Sequence, residues 1–379
     1  MISLTALCTA GILVLSFAFA PPMAYAEASQ CRVGFDVGSS GIRAGTSSSD
    51  QTAKVKIDYL KDVWADNRID ETLLPTVEAL RTLPKSLHVH TCGGVAGGYS
   101  AWRYALERGD PAYIASTIKE IHRQSGVFFF VIPQDIEGSY GYRAAQRLLG
   151  DRLATPLVMD IGGGSIQFAA EDRGWGTALG QRAWRKRFCE TIKNVPVSTC
   201  STNPVGASAL GLSRENLALE ASSARTALGK EITVTAVSTP VVKAMHPILK
   251  YLSEQKIISG QVNEKGFDRV ALTNAIQLLS ERDEAGIFQI LNNCQDIGIR
   301  SLCNSEFASN FVTDMLLVMV FMEALEINRM EVIEAEITNI TGILEDERAN
   351  QWSERYDCYL QLLEKHGVEA FRIQPTQCQ

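Results

Sequence analysis

The chain has 379 residues and a net charge of −7, with no long run of Lys or Arg. This acidic balance argues against general nucleic-acid binding, and the length predicts two domains with room for a core in each. An acidic protein that handles an anionic substrate needs a cation and local Arg or Lys side chains at its site.

The first 26 residues predict a cleaved secretory signal peptide. They contain no charged side chain, carry an apolar stretch at 11–20 and end in Ala24-Tyr25-Ala26 before Glu27, which is typical of a cleavage site. No Lys or Arg precedes the apolar stretch, so a retained N-terminal anchor or a misplaced start codon is the alternative. On the signal-peptide interpretation the protein is periplasmic or secreted, with no stable membrane span after cleavage.

Eight cysteines follow this segment, and an even number in an exported chain indicates disulfide bonds. Their spacing favours the local pairs Cys189–Cys200, Cys294–Cys303 and Cys358–Cys378, which leaves Cys31 for Cys92. Reduced, buried cysteines are the alternative if the chain is not exported. A cysteine and histidine metal site is not expected, because there is no C-x-x-C pair and the five histidines are scattered.

Strands alternate with helices along the chain, which predicts an α/β fold with a mixed or parallel sheet. Short apolar runs predict strands at Arg32–Asp36, Leu87–Thr91, Val127–Ile132, Leu157–Ile161 and Glu231–Val237. Helical patterns lie at Asp70–Leu83, Pro111–Gln124 and Ser139–Leu149. The apolar run Met315–Met322 is too short for a membrane span and predicts a buried helix.

The chain is predicted to form two lobes. The first covers residues 28–150, the second covers 151–344, and the charged, aromatic segment 345–379 returns to the first lobe. No low-complexity linker separates the lobes, so we expect them to pack around a cleft.

Two glycine-bearing loops are the most informative feature of the chain. Residues 35–43 read FDVGSSGIR and residues 159–167 read MDIGGGSIQ. Each loop follows an apolar stretch and opens with an aspartate. Glycines let backbone N–H groups approach phosphate oxygens, small hydroxyls add donors, and a carboxylate at the strand end can hold a divalent cation. Either loop alone is equally well a simple turn, but the duplicated pattern predicts one phosphate clamp used twice.

Asp36 and Asp160 are the predicted metal-facing carboxylates, with Mg²⁺ or Mn²⁺ as the metal. Arginines on segments aligned with the clamp are preferred as phosphate ligands. The predicted phosphate contacts are Gly38, Ser39, Ser40, Arg43, Arg103, Gly162, Gly163, Gly164 and Ser165.

Glu137 is the predicted general base. It lies in QDIEGSYGY, residues 134–142, where a loop after a strand leads into a helix. Hydrolysis of a phosphoanhydride requires charge neutralisation, an in-line water and a group that orients or deprotonates that water. The alternative makes Glu137 a helix N-terminal charge favoured by the helix dipole.

At these residues the chain resembles the acetate and sugar kinase, heat-shock seventy and actin superfamily, and within it the exopolyphosphatase and guanosine pentaphosphate phosphatase (Ppx/GppA) family. The resemblance spans roughly residues 32–345 and includes both loops, Ser100–Arg103, Glu137 at the family's catalytic-base position and Leu179–Phe188. It implies two ribonuclease-H-like lobes around an interlobe cleft. It also implies a metal-dependent phosphoanhydride hydrolase that acts on polyphosphate or nucleoside polyphosphates.

Some residues depart from the Ppx/GppA pattern. The first loop is closer to the D-A-G-S-S-G-T-R of apyrases, and residues 137–142 resemble the apyrase E-G-x-Y-G-W. Gln167 replaces a family glutamate that assists the water. A neutral amide can orient water but cannot take its proton, so Glu137 would act alone as base. The separation of 23 positions between Glu137 and Asp160 is nevertheless near that of the Ppx/GppA family.

Three functions are therefore weighed: a Ppx/GppA-type hydrolase, which is slightly favoured, an apyrase-like nucleoside tri/diphosphatase, and a non-catalytic phosphate-ligand binding protein. Gln167 and the altered turn at Ser238–Pro240 motivate the third. Recognition of a nucleobase needs a pocket with an aromatic side chain for stacking. The candidates are Trp175, Trp184 and Trp352, which could equally well be core residues. Four cations downstream of the second loop could line a track for a polyanion, or they could equally well form a solvated helix face. They are Arg182, Arg185, Lys186 and Arg187.

Overall fold

The computed structural model describes residues 32–47, 49–88, 93–153, 155–230, 233–292, 310–334 and 338–378. The predicted signal peptide and two predicted disulfides, Cys31–Cys92 and Cys294–Cys303, lie outside these residues. Across the described ranges, no helix combines the length and the apolar character that a membrane span requires.

The first lobe is built on a sheet with the strand order β3-β2-β1-β4-β5. Its strands are β1 (Val33–Gly38), β2 (Gly41–Thr46), β3 (Ser49–Lys56), β4 (Gly94–Gly98) and β5 (Val127–Val131). The first three strands form an antiparallel meander, whereas β4 runs parallel to β1 and β5 runs parallel to β4. Parallel neighbours need crossover connections, which helices provide here.

The second lobe repeats this arrangement with additions. Its sheet has the order β10-β11-β12-β9-β6-β7-β8. The strands are β6 (Val158–Ile161), β7 (Ile166–Ala169), β8 (Gly174–Thr177), β9 (Thr233–Ala236), β10 (Val262–Asn263), β11 (Gly266–Asp268) and β12 (Arg329–Val332). Strands β6, β7 and β8 are antiparallel, and β9 and β12 continue the sheet in parallel. The order β8-β7-β6-β9-β12 therefore matches that of the first sheet, and the predicted mixed α/β architecture is confirmed.

Helices surround the two sheets. Their bounds are α1 (Tyr59–Asp66), α2 (Asp70–Ser86), α3 (Ala101–Arg108), α4 (Pro111–Ser125), α5 (Gln134–Leu149), α6 (Gln181–Arg187), α7 (Ala209–Asn216), α8 (Ala218–Leu228), α9 (His246–Glu254), α10 (Arg269–Leu279), α11 (Glu284–Ile290), α12 (Phe311–Ala324), α13 (Ile340–Glu345), α14 (Glu347–Glu354) and α15 (Tyr356–His366). The predicted buried helix at Met315–Met322 is confirmed, because it lies within α12, whose residues 311–322 are all buried.

Local sequence explains where helix α4 begins and ends. The side chain of Asp110 accepts a hydrogen bond from the Ala112 N–H. Pro111 occupies the first turn, where a backbone N–H has no partner within the helix, so the missing N–H of proline costs no hydrogen bond. Gly126 ends the helix in the left-handed conformation, with φ of 74°.

The strand predicted at Leu87–Thr91 is not observed in the described part of that range. Leu87 and His88 form the turn after α2, and the strand of this region is β4. Three of its five residues are glycine. Because glycine is depleted in strands, strand propensity does not predict β4. Packing requires these glycines. A Cβ atom on Gly94 would lie 2.9 Å from Phe35 Cε2, and one on Gly98 would lie 2.5 Å from Phe129 Cε1.

The C-terminal segment packs on the first lobe and covers the edge strand β5. The Tyr356 hydroxyl accepts a hydrogen bond from Phe129 N and donates one to Phe129 O, both at 3.1 Å. The Tyr359 hydroxyl accepts a hydrogen bond from Val131 N at 2.9 Å. These bonds occupy backbone groups that an uncovered sheet edge would leave exposed.

The chain returns to the first lobe earlier than the boundary predicted at residue 344. Helix α13 belongs to the first core through Ile340, Ile343 and Leu344. It lies so close to β1 that a Cβ atom on Gly34 would be 2.9 Å from Ile340 Cγ2. The apolar periodicity of this short helix does not reveal which lobe it covers.

Two of the predicted disulfides are confirmed by the structure. Cys189 bonds to Cys200 with a Cα–Cα distance of 6.0 Å, and Cys358 bonds to Cys378 with a distance of 6.2 Å. The second bond fastens the end of the chain to α15.

We expect each of these bonds to stabilise the fold by about 2–4 kcal/mol, because a cross-link restricts the unfolded chain. Replacing Cys378 by serine should lower the free energy of unfolding in denaturant by that amount. Peptide mapping of exported protein without reductant should recover both linked peptide pairs. Recovery of eight alkylatable thiols instead would contradict both the bonds and export.

Candidate active site

Both glycine-bearing loops open into one cleft of about 510 Å³ between the lobes. The first loop joins β1 to β2 and the second joins β6 to β7, which are equivalent positions in the two sheets. The predicted site residues that line the cleft are Asp36, Gly38, Ser39, Ser40, Arg43, Glu137, Asp160, Gly162, Gly163 and Ser165. The structure thus brings most of the predicted site together.

The first loop is a tight hairpin. Gly38 pairs with Gly41, which leaves Ser39 and Ser40 as the two turn residues. Gly41 has φ of 151°, and a Cβ atom there would lie 2.1 Å from Val55 O, so only glycine fits. A Cβ atom on Gly38 would meet nothing closer than Asp36 Oδ1 at 3.9 Å. The backbone of Gly38 is therefore open to a ligand in the cleft.

The second loop uses its glycines to approach the first lobe. A Cβ atom on Gly163 would lie 2.9 Å from Ser39 Oγ, and one on Gly164 would lie 2.2 Å from Ser100 Oγ. Gly164, predicted as a phosphate contact, is not among the described residues that line the cleft. Its place in the structure is the contact between the lobes.

Three carboxylates face the cleft: Asp36 and Glu137 are buried, and Asp160 is partly buried. Burial raises the pKa of Glu137 to about 7, and the charges of Asp36 and Asp160 add to this against the lowering effect of Arg103. Burial likewise raises the pKa of Asp160 to about 6, against the lowering effect of Arg43. The pKa of Asp36 is also raised by burial, although Arg43 and the Asn339 N–H oppose this. Burial therefore disfavours the ionised form of all three carboxylates.

Glu137 is held by Arg103 rather than by solvent. The Arg103 Nη2 atom lies 2.6 Å from Glu137 Oε2, and Nη1 donates to Ile132 O at 2.9 Å. Arg103 is buried and does not line the cleft in the described structure, so it contacts the predicted base instead of open ligand space. Helix α5 begins at Gln134, five residues earlier than predicted, and Glu137 lies in its first turn. The residue is thus both a helix N-terminal charge and a cleft-facing carboxylate.

Gln167 lies behind the loops. It is opposite Asp160 in the β6–β7 ladder, and its Nε2 donates to Ser165 Oγ at 2.9 Å. With Glu137 and Asp160 it lines a small cavity of about 10 Å³, roughly the room of one water molecule. An amide there can orient a water but cannot deprotonate it.

Sequence reasoning missed Asn339 and Lys54, which both line the cleft. The N–H and Nδ2 of Asn339 donate to Asp36 Oδ2 at 3.2 and 3.5 Å. In the sequence Asn339 shows only the Asn-Ile-Thr pattern of a glycosylation acceptor. Lys54 is opposite Arg43 in the β2–β3 ladder, and Arg43 is opposite Asp36 in the β1–β2 ladder. Lys54 therefore joins the site through the register of β2 and β3, two strands that are not predicted from the sequence.

Three of the four cations of α6 are paired with acidic side chains. Arg182 donates to both carboxylate oxygens of Asp58, in the first lobe, at 2.6 and 2.9 Å. Lys186 pairs with Glu190, and Arg187 pairs with Glu220. None of the described cations of this helix lines the cleft, which favours the solvated-face interpretation over a polyanion track.

The three tryptophans considered for base stacking are core residues. Trp175, Trp184 and Trp352 are buried, and the Trp184 indole N–H donates to Thr313 O at 2.9 Å. Among the described residues that line the cleft, the aromatic one is Tyr99, which is itself buried. The described cleft wall therefore offers no exposed aromatic face to a nucleobase.

Asp36 and Asp160 fit the requirements of Mg²⁺. In the described ranges, no cluster of three or more His, Cys, Asp or Glu side chains is arranged to hold a metal by itself. Mg²⁺ usually binds through one or two carboxylates and completes its shell with water and substrate phosphates. Two carboxylates that line one cleft, one from each lobe, suit that mode of binding.

Solved structures resemble this chain over most of its length. A Ppx/GppA family member from Aquifex aeolicus has 15% identity and a TM-score of 0.56, covering 86% of this chain and 98% of its own. The fold is that of Ppx/GppA proteins. An exopolyphosphatase from Cytophaga hutchinsonii gives 14% identity and a TM-score of 0.54, with coverage of 83% and 96%. An exopolyphosphatase-like protein has 18% identity and a TM-score of 0.56, covering 83% of this chain and 96% of its own.

No protein-family model matches the sequence, and no curated relative does. The structural matches confirm the predicted resemblance to Ppx/GppA proteins at the level of the fold. At 14–18% identity such a likeness establishes the fold alone.

Proposed function

We propose that the protein is an exported, metal-dependent phosphoanhydride hydrolase that releases phosphate from polyphosphate or nucleoside polyphosphates by water attack. One observation carries this proposal: the buried carboxylate of Glu137 faces the same cleft as both glycine-bearing loops. A base between two phosphate-binding loops suits hydrolysis of a bound phosphate chain.

The loops would bind the terminal phosphate. Ser39 and Ser40 contribute hydroxyls from the first lobe, and Arg43 supplies positive charge. In the second lobe, Ser165 accepts a hydrogen bond from Gln167, which leaves its own hydroxyl proton to donate to a phosphate oxygen. Donors from both lobes would then surround one phosphate group.

Glu137 would take the proton from the attacking water. Arg103 fixes the position of its carboxylate, and a pKa raised to about 7 keeps it an effective base near neutral pH. Gln167 would orient the water without accepting its proton. Asp36 and Asp160 would hold Mg²⁺ or Mn²⁺, which, when bound, neutralises negative charge on the phosphates.

Polyphosphate is the favoured substrate because the cleft is polar and lacks an aromatic platform among its described residues. The exopolyphosphatase from Cytophaga hutchinsonii shares the fold. Export is supported by the N-terminal apolar segment and by two disulfides, which persist in oxidising compartments. A periplasmic or secreted location follows from this proposal.

A phosphate-release assay with Mg²⁺ tests the function. Polyphosphate, ATP, ADP and guanosine tetraphosphate should be compared at equal terminal-phosphate concentration, with the Glu137→Gln variant as blank. We expect release from polyphosphate. A strong preference for nucleoside triphosphates would identify an apyrase-like enzyme instead. Tight binding of these compounds without release from any of them would identify a phosphate-ligand binding protein.

A further inference from the structure

Ser100 has a backbone conformation that residues with a side chain rarely adopt. Its φ is 45° and its ψ is −92°. The Trp102 N–H donates to Tyr99 O at 3.0 Å, so Ser100 occupies the first central position of a tight turn. Positive φ at that position is characteristic of a type II′ turn, where glycine is preferred. The chain thus places a serine where glycine would be less strained.

This conformation directs the hydroxyl away from the helix that follows. Ser100 stands at the N-cap of α3, where a serine ordinarily accepts a hydrogen bond from the first helical turn. Here the side chain makes no capping hydrogen bond. Ser100 is instead 7% exposed and lines the cleft.

The hydroxyl lies where the two lobes meet. Gly164 leaves room for it, since a Cβ atom at that position would be 2.2 Å from Ser100 Oγ. Neighbouring Gly163 makes the equivalent approach to Ser39. Ser100 therefore stands beside both loops, and three residues further along the same segment Arg103 holds Glu137.

We propose that Ser100 is a phosphate-binding residue whose strained turn aims its hydroxyl at a substrate phosphate oxygen. The substrate class rests on the proposed function. The segment Ser100–Arg103 would then serve the site twice, because its first residue holds the phosphate and its last residue holds the base. A purely structural Ser100 would act only as a spacer between the loops.

Two variants separate these roles. Ser100→Ala removes the hydroxyl and keeps the strained backbone, whereas Ser100→Gly removes the hydroxyl and relieves the strain. Lys256→Gly is the matched control, because Lys256 is exposed and has φ of 57° outside the cleft. Each change is made in the Glu137→Gln background, and tripolyphosphate binding with Mg²⁺ is measured beside the melting temperature.

We expect both Ser100 variants to raise the Kd for tripolyphosphate about 10-fold or more, as expected for loss of a hydrogen bond to a charged group. Ser100→Gly and Lys256→Gly should both raise the melting temperature, and Lys256→Gly should leave the Kd unchanged. A Ser100→Gly protein with full affinity would overturn the assignment. Ser100-dependent binding by a wild-type protein that releases no phosphate would contradict only the hydrolase. Absence of tripolyphosphate binding altogether would contradict both.

Discussion

Replacing Glu137 by glutamine should lower the rate of phosphate release about 10²- to 10⁴-fold, the usual contribution of a positioned acid or base. Glutamine keeps the size of the side chain and still offers Arg103 a carbonyl oxygen, but it cannot take a proton from water. Gln167 is neutral, so among the described residues that line the small cavity it shares with Glu137, Asp160 is the carboxylate that could substitute as base. The measurement is kcat with saturating polyphosphate and Mg²⁺.

The control for this change is Glu215→Gln, on the exposed side of α7 and outside the cleft, which should leave kcat unaltered. Glu137→Gln should retain the wild-type circular dichroism spectrum and bind tripolyphosphate. A folded Glu137→Gln protein that turns over at the wild-type rate would show that Glu137 is not the base.

The same residue predicts a pH dependence. The groups facing Glu137 are Arg103, Asp36 and Asp160, and burial with the two aspartates outweighs Arg103 to raise its pKa to about 7. Only the ionised form accepts a proton, so kcat should rise with pH through about 7 and level off above it. A bound divalent cation would move this midpoint to lower pH. The residual rate of Glu137→Gln should lack this rise, and an identical profile in both proteins would refute the assignment.

The parts of the site that sequence predicts are those with local signals. An aspartate at a strand end followed by glycine and serine specifies a turn whose backbone is open, and the same signal occurs at Asp36 and at Asp160. The hairpins that follow place both aspartates at the edge of the cleft. Glu137 is predicted in the same way, by its place between the two loops.

The parts that sequence misses depend on contacts between distant segments. Asn339 reaches Asp36 across 303 positions, with no spacing that signals it. Arg103 is predicted to bind phosphate, yet in the structure it is buried and its partner is the carboxylate of Glu137. Strand β4 is hidden by its glycines, which the packing of Phe35 and Phe129 requires. In each case tertiary packing overrides local propensity.

Chelation should abolish phosphate release, and Mg²⁺ or Mn²⁺ should restore it. Asp36 and Asp160 come from equivalent strands of the two lobes and are both buried or nearly so at one cleft. A cation held between them would favour the ionised forms of both carboxylates, whose pKa values burial raises despite the nearby Arg43. Asp36→Asn and Asp160→Asn should therefore also abolish release, whereas Asp151→Asn, on the exposed surface, should not.

Thermal unfolding distinguishes a metal site from a purely electrostatic role of these carboxylates. A cation that binds only the folded protein raises its melting temperature, by an amount that grows with the ratio of cation concentration to Kd. We expect Mg²⁺ to raise the melting temperature of the wild-type and Asp151→Asn proteins but not that of Asp160→Asn. Full phosphate release in excess EDTA would exclude a required metal. Mg²⁺ stabilisation that persists in both Asp36→Asn and Asp160→Asn would place the metal on other residues.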